Sequence, residues 1–338
     1  MRISMLMRRP EPPLLNLPTG RINTQVLELW PPKDKVVVVM GATGTGKSRL
    51  SIDLATRFPS AEIVNSDKMQ VYKGLDIVTN KITEEESRGI PHHLLGVIDP
   101  NADFSATNFC NMASHAVKSI VNTGQLPIIV GGSNSYMEAL IEDETSEFRP
   151  RYECCFLWVD VSMPVLHSAL SRRVDQMVEA GMVEEAREMF TPDADYSRGI
   201  RRAIGIPEFD PYFRAQRCYN GIRNDSLLQA AIQAIKNNTS QLAKRQLDKI
   251  HRLRNVRGWK VHRLDATDVF RKRGREADEA WEEMVAGPSS MIVSDFLMIS
   301  AGLRSTPVPW LPPLEEPRQW GQPWQLQLTR KQQVVTSI

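Results

Sequence analysis

The chain has 338 residues, with 42 Lys and Arg against 40 Asp and Glu, a formal net charge of +2, and 41% hydrophobic residues. Such a composition belongs to a globular protein that buries a sizeable core in one large domain, or in one with a smaller appended part. It excludes a chain that grips nucleic acid along its whole length, which would carry a larger cationic excess, and no apolar run reaches the ~18 residues that a membrane-spanning helix needs.

Residues 1–34 form a proline-bearing lead. Arg2, Arg8 and Arg9 precede the first acid, Glu11, a pattern compatible with a short organellar transit segment and equally with a frayed terminus. Lys35–Met40 is a β-branched apolar run of the kind that forms a fully buried parallel strand. A glycine-rich loop follows, then an amphipathic stretch to Phe58 that predicts a helix. Ala61–Val64 predicts a second strand, ending at Asn65-Ser66-Asp67. Residues 106–122 predict a helix closed by Gly124. Leu126–Val130 predicts a third strand running into Gly131-Gly132, and Cys154–Val159 a fourth ending at Asp160. Alternating strands and helices imply an α/β fold over 35–165, a parallel sheet wrapped by helices. Residues 166–260 read as a smaller, mainly helical domain or insertion, interrupted by Pro207 and the polar stretch 208–225. Within it, 224–254 predicts one long basic helix or two abutting ones. The remainder, 261–338, predicts an exposed charged helix at 271–284 and an extended tail from Pro307. Cys110, Cys154, Cys155 and Cys218 make no Cys-x-x-Cys pair, so no zinc ligand set is visible. Cys154 and Cys155, adjacent in an apolar run, read as buried thiols of a reducing compartment.

The loop Gly41-Ala42-Thr43-Gly44-Thr45-Gly46-Lys47-Ser48 matches G-x-x-x-x-G-K-[ST] between a buried strand and a helix. Its glycines let backbone N–H groups turn toward phosphate oxygens, and the helix N-terminus adds partial positive charge. Lys47 supplies a full charge and Ser48 a hydroxyl for Mg²⁺. The loop does not say whose phosphates it holds. On it alone, a nucleotide kinase or a non-enzymatic nucleotide switch would lead.

Further motifs follow in order: Asn65-Ser-Asp-Lys-Met-Gln-Val-Tyr-Lys-Gly-Leu-Asp76, Pro91-His-His-Leu-Leu95, Gly131-Gly-Ser-Asn-Ser-Tyr136, Gly199-Ile-Arg-Arg-Ala-Ile-Gly-Ile-Pro-Glu208 and Gln241-Leu-Ala-Lys-Arg-Gln246. Together, over roughly residues 35–260, this series resembles the isopentenyltransferase family, and is most similar to the plant adenylate isopentenyltransferases of cytokinin synthesis. There is no C-terminal Cys-x-x-Cys…His finger of the kind many tRNA-modifying members carry. The resemblance implies a P-loop NTPase-like fold and an enzyme that moves a dimethylallyl group from dimethylallyl diphosphate to N6 of free ATP, ADP or AMP. ATP and ADP are expected to be preferred and Mg²⁺ required. No membrane or nucleic-acid partner is expected, the oligomeric state is left open with a monomer favoured, and the lead together with the resemblance points to a plastid location. A tRNA acceptor and a cytoplasmic location are the alternatives.

The adenine amine is a weak nucleophile because its lone pair is delocalised, so a carboxylate that accepts its proton is needed. Asp67, just past the second strand, takes that role by resemblance. Its alternatives are a helix cap or a magnesium ligand, and Asp160 competes for the latter. Charge building on the departing diphosphate calls for cations and hydrogen-bond donors: Lys47 and, by resemblance, Arg202 and Ser133, with Arg173 assisting. For Arg173 and Arg201 a solvated helix surface is the competing reading. The acceptor is expected to meet Ser66, Asp67, Gln70 and Tyr72, with Lys73 a weaker candidate. Lys236 and Lys244, eight residues apart and so near one helix face, are expected to meet its phosphate tail. His92 and His93, with no other ligand spaced near them, read as packed, hydrogen-bonded residues.

Overall fold

The computed structural model describes residues 33–142, 147–218 and 224–298. The transit-like reading of the lead and the extended tail from Pro307 fall outside the described residues. Asp34–Gly41 forms β1, the glycine loop turns into α1 (Lys47–Arg57), and β2 (Ala61–Asn65) follows. A short α2 (Glu84–Ser87) and the two-residue β3 (His92–His93) precede α3 (Ala106–Asn122), β4 (Leu126–Val130), α4 (Asn134–Glu142) and α5 (Phe148–Arg151). β5 (Tyr152–Asp160) leads into α6 (Met163–Glu179), α7 (Met182–Glu188), α8 (Asp210–Cys218) and the long α9 (Asp225–Asn255). Then come β6 (Val261–Asp265), α10 (Gly274–Trp281), a π-helical turn (Glu282–Ala286) and α11 (Gly287–Met298).

The six strands make one parallel sheet in the order β3-β2-β4-β1-β5-β6. β1 lies inside it, with Val38 opposite Ile129 of β4 on one side and Phe156 of β5 on the other. Successive strand side chains point to opposite faces. Val36, Val38 and Met40 therefore join one core, which holds Phe109 and Val117 of α3, Leu140 of α4 and Ile250 of α9. Val37 and Val39 join a second, with Leu50 and Leu54 of α1, Leu170 of α6, Trp281 of α10 and Val293 of α11. Burial on both faces is why the strand is uniformly apolar rather than alternating.

The helix foreseen at 106–122 starts on a capping box, in which Ser105 Oγ accepts from the Asn108 amide at 3.1 Å, and Gly124 follows it at φ +73°. Three expectations are corrected. The polar stretch 208–225 contains α8, which buries Tyr212 and Phe213. The charged segment 271–284 is helical but not simply exposed, because Ala280 and Trp281 are buried against α1 and its loop. A sixth strand, β6, comes from 261–265, ahead of the charged helix, where no strand was expected. It pairs only with β5, and its Val-His-Arg-Leu-Asp pattern buries Leu264 alone, so it lacks the apolar density of the inner strands. Cys155 is buried and Cys154 partly so, and burial pushes both thiols up to about 12, which makes them poor nucleophiles at neutral pH. His92 and His93 are engaged as expected, on the Ile90 carbonyl and the Glu62 carboxylate.

Candidate active site

In a parallel sheet every strand delivers its C-terminal end to the same edge, where ligands of open α/β sheets bind. The adjacent strands β2, β4 and β1 bring three loops together there: Ser66-Asp67, Gly131-Gly132-Ser133 and the glycine loop. Backbone bonds knit them, from the Ser66 amide to the Val130 carbonyl at 2.7 Å and from the Ser133 amide to the Ser66 carbonyl at 3.2 Å. The fit is tight. A Cβ on Gly131 would lie 2.4 Å from the Ser66 carbonyl, too close for any side chain.

The glycine loop is shaped for an anion. Gly46 occupies the N-cap position of α1 in the left-handed region, φ +93°, and no side chain caps the helix, so the first amides of α1 are available to an anion's oxygens. Thr45 Oγ1 donates to the Ala42 carbonyl at 3.0 Å. Lys47 Nζ donates to the same carbonyl at 2.7 Å, keeping further donors for a ligand. Burial pushes Lys47 down to about 8, opposed by the Asp67 carboxylate and reinforced by Arg173. Arg173, from α6, donates to Thr43 Oγ1 at 3.1 Å. Burial lowers it to about 10, again with Asp67 opposing, and its Nε has no hydrogen-bond partner among the described residues.

A pH dependence follows. A diphosphate favours the ammonium form of Lys47, so above about pH 8 its binding must take up a proton. Diphosphate affinity is therefore expected to be level below that pH and to fall by up to about tenfold per pH unit above it. Calorimetry from pH 6.5 to 9.5 measures this, and Lys47→Arg, permanently charged, should abolish the slope. A flat wild-type profile would disconnect Lys47 from the anion.

Asp67 stands between that loop and a second group of side chains. Its Oδ1 accepts from the Met69 amide at 2.9 Å, and its amide donates to Asn65 Oδ1 at 3.2 Å. Oδ2 lies on the Gly132 side, 3.5 Å from where a Cβ on that glycine would stand. Ser133 Oγ accepts from the Lys68 amide at 3.0 Å, so its own O–H can still donate. Lys68 Nζ stands 4.7 Å over the Tyr136 ring, and burial, Lys249 and Arg202 all lower its pKa while Asp67 raises it. Arg202 donates to the Tyr72 hydroxyl at 3.4 Å and to the Gly199 carbonyl at 3.2 Å.

Several expected residues are placed differently from their expected surroundings. Arg173, not Arg202, reaches the glycine loop, because α6 runs past Thr43 while Arg202 rests on Tyr72. Arg201, half-buried, bonds Asn101. Gln70 is committed to the turn carbonyls of Thr79 and Asn80, and Lys73 is exposed. Tyr72 is fully buried, and Ser66 Oγ is buried without a hydrogen-bond partner among the described residues. Lys236 pairs with Asp175 of α6 at 2.6 Å, so α6 takes up its charge, whereas Lys244 is exposed. Asp160 accepts from Arg263 Nε at 2.7 Å, an ion pair tying β5 to β6. Residues that sequence reasoning passed over are Lys68, Asn134, Gln246 and Trp281. All but Trp281 lie within or beside the quoted motifs, yet their charge or polarity alone gave no hint of a role.

Among the described residues no group of three His, Cys, Asp or Glu could hold a metal ion. Ser48 stands exposed in the first turn of α1. These residues fit a Mg²⁺ that takes one hydroxyl from the protein and its other oxygens from phosphates and water, the usual manner of that ion at phosphate sites.

A glycine-lysine loop of this shape on a doubly covered parallel sheet puts the chain among the P-loop-like α/β proteins. The IPP transferase family model matches residues 70–150 and 142–252. Adenylate isopentenyltransferase 3, chloroplastic, of Arabidopsis thaliana is 58% identical over 90% of this chain and 93% of its own length. Adenylate isopentenyltransferase 5, chloroplastic, of the same plant is 62% identical over 79% and 82%, and its adenylate isopentenyltransferase 7, mitochondrial, 50% over 88% and 90%. Among solved structures, a eukaryotic dimethylallyltransferase acting on tRNA superposes with a TM-score of 0.66 at 26% identity, covering 79% of this chain and 80% of that one. The tRNA isopentenylpyrophosphate transferase of Bacillus halodurans gives 0.60 at 27%, covering 80% and 99%. The chain belongs to the IPP transferase family.

Proposed function

We propose that the protein transfers a dimethylallyl group from dimethylallyl diphosphate to N6 of a free adenine nucleotide, releasing diphosphate, as in the first step of cytokinin synthesis. The observation that carries this is the position of Asp67. Its carboxylate acts electrostatically on Lys47 and Arg173 of the donor side and on Lys68 of the other side. A base there can take a proton from one substrate while the leaving group of the other sits on cations.

In this reading the amides of Gly44–Ser48, with Lys47 and Arg173, hold the donor's diphosphate. Mg²⁺ bound with Ser48 would neutralise part of its charge. Asp67 orients the N6 amine and accepts its proton as the allylic carbon is attacked. The O–H of Ser133 and the guanidinium of Arg202 are charge-stabilising groups on the same side as Asp67. Ser66 and Tyr72, both fully buried, support the acceptor side from beneath rather than lining it. The acceptor's phosphates fall to exposed cations of α9 such as Lys244. Lys236→Ala is expected to change the specificity constant for ATP by no more than about threefold, because Asp175 already takes up its charge. A larger loss would return Lys236 to the phosphate tail.

Incubation with Mg²⁺, dimethylallyl diphosphate and, separately, AMP, ADP, ATP or unmodified tRNA, with products identified by mass, tests the reading. N6-prenylated nucleotides are expected, with ATP and ADP used better than AMP. Product on tRNA alone would transfer the function to that of the solved relatives. Two of the three plant relatives above are named chloroplastic and one mitochondrial, and the Arg-bearing lead agrees with a plastid destination for this chain as well. Among the described residues no helix is long and apolar enough to cross a membrane.

A further inference from the structure

The Gln241–Gln246 motif ends in a side chain that the reaction as described leaves unused. Gln246 projects from α9 into the seam between the donor loop and the β4 loop, and it is buried. Its Oε1 accepts from the Thr43 amide at 2.7 Å. Its Nε2 donates to the Gly132 carbonyl at 2.9 Å. Its backbone carbonyl accepts from Asn134 Nδ2, at the start of α4, at 3.0 Å. An amide N–H on one side and a carbonyl on the other leave the carboxamide only one orientation. The contact is also close: a Cβ on Gly132 would lie 2.4 Å from Nε2, and 3.5 Å from Asp67 Oδ2. Thr43 in turn receives Arg173 on its hydroxyl. One planar group thus fixes the donor loop, through Thr43, to the loop that lies against Asp67 and carries Ser133.

We propose that Gln246 is a positioning residue that couples the two substrate subsites, so that ordering of the donor loop by the allylic diphosphate preorganises the Gly132–Ser133 side for the nucleotide, and the reverse. The inference rests on the two-substrate reading above. Loops held by a shared rigid group are ordered together, and the second ligand then meets a site whose ordering cost is already met. Such coupling is reciprocal: each substrate tightens the other by one factor.

Binding of ATP to the full chain, with and without an unreactive thio-diphosphate analogue of dimethylallyl diphosphate, measures that factor. In the wild type about fivefold or more tightening in both directions is expected. Gln246→Met fills the space without either hydrogen bond. Gln246→Glu can still accept from Thr43 but sets a carboxylate against the Gly132 carbonyl. Both are expected to reduce the factor below about twofold, to leave each separate affinity within about threefold, and to lower kcat more than either KM. A variant with wild-type coupling overturns the proposal, as does a wild type that makes prenyl-nucleotide product yet shows no coupling. A wild type that makes no such product refutes the two-substrate reading instead. Hydrogen exchange on the wild type needs no variant. The analogue alone is expected to slow exchange over residues 131–136 as well as 41–48, and protection confined to 41–48 overturns the coupling.

Discussion

Asp67→Asn should lower turnover by about 10²-fold or more, the usual range for loss of a general base, while donor affinity stays near wild type. Asparagine preserves size and can still accept the Met69 amide that Oδ1 accepts now, so the loop should keep its shape. What is lost is the capacity to take a proton, which matters only once the carbon–nitrogen bond begins to form. The effect therefore belongs to kcat and not to ground-state binding. At ~10²-fold it corresponds to about 3 kcal/mol of barrier. Turnover and donor affinity, each measured across a Mg²⁺ titration, decide the matter. Recovery of the variant at high Mg²⁺ would mean that Asp67 is a metal ligand.

The geometry separates the two carboxylates that the sequence leaves in competition. Both end apolar strands. Asp160, however, is drawn into the pair with Arg263 at the β5–β6 edge, and the Ala266 amide binds its backbone carbonyl at 2.8 Å. Its place is at the outer junction of the sheet, while Asp67 acts on Lys47 and Arg173. Asp160→Asn is therefore expected to keep near-normal turnover at every Mg²⁺ concentration, and a loss matching that of Asp67→Asn would reopen the assignment.

These cases show which parts of the molecule could be read in advance. β1 was legible because a strand covered on both faces must be apolar at every position, and the glycine loop because anion binding by backbone needs glycines at fixed spacing. The place of Asp67 at the ligand-binding edge was legible from its position after β2, while its role as base comes from the resemblance. What could not be read was which neighbour each long cation would meet. Helical spacing places Lys236 and Lys244 near one face of α9 but cannot say that α6 sets Asp175 across from the first of them. Arg202, expected on the diphosphate with Arg173, rests on Tyr72 for the same reason, while Arg173 reaches the glycine loop. β6 was missed because an edge strand with one buried side chain has no period to detect. Gln246 was hidden by its setting, a polar residue in a basic helix, although it is buried.

Trp281 was hidden most completely, inside a segment dominated by charge, and its removal should have the largest effect on stability. Its ring lies against the donor loop, with ring carbons 2.8 Å from where a Cβ on Gly46 would stand. Arg49 stands 4.7 Å over the ring, and Nε1 donates to the buried Asp53 Oδ2 at 2.7 Å. Trp281, Val285, Ser289 and Val293, all buried, are spaced by four. In an uninterrupted α-helix that spacing would drift by about 40° at each step. A π-helical turn, Glu282–Ala286, begins right after Trp281 and leads into α11. Trp281→Ala removes a buried aromatic side chain, which costs about 3–5 kcal/mol, and a thermal midpoint lower by at least ~5 °C is expected. Trp281→Phe isolates the N–H. Burial raises the Asp53 pKa, and the Trp281 donor is the largest of the groups holding it down. Without that donor the folded-state pKa rises further, so the ionised form is penalised more than before. The cost of Trp281→Phe should thus be small in acid, where Asp53 is protonated in both proteins, and should grow as pH rises through the carboxylate range to 8. Denaturant unfolding of both proteins at several pH values measures the difference, and a cost independent of pH would show that the Trp281–Asp53 bond does not stabilise the carboxylate.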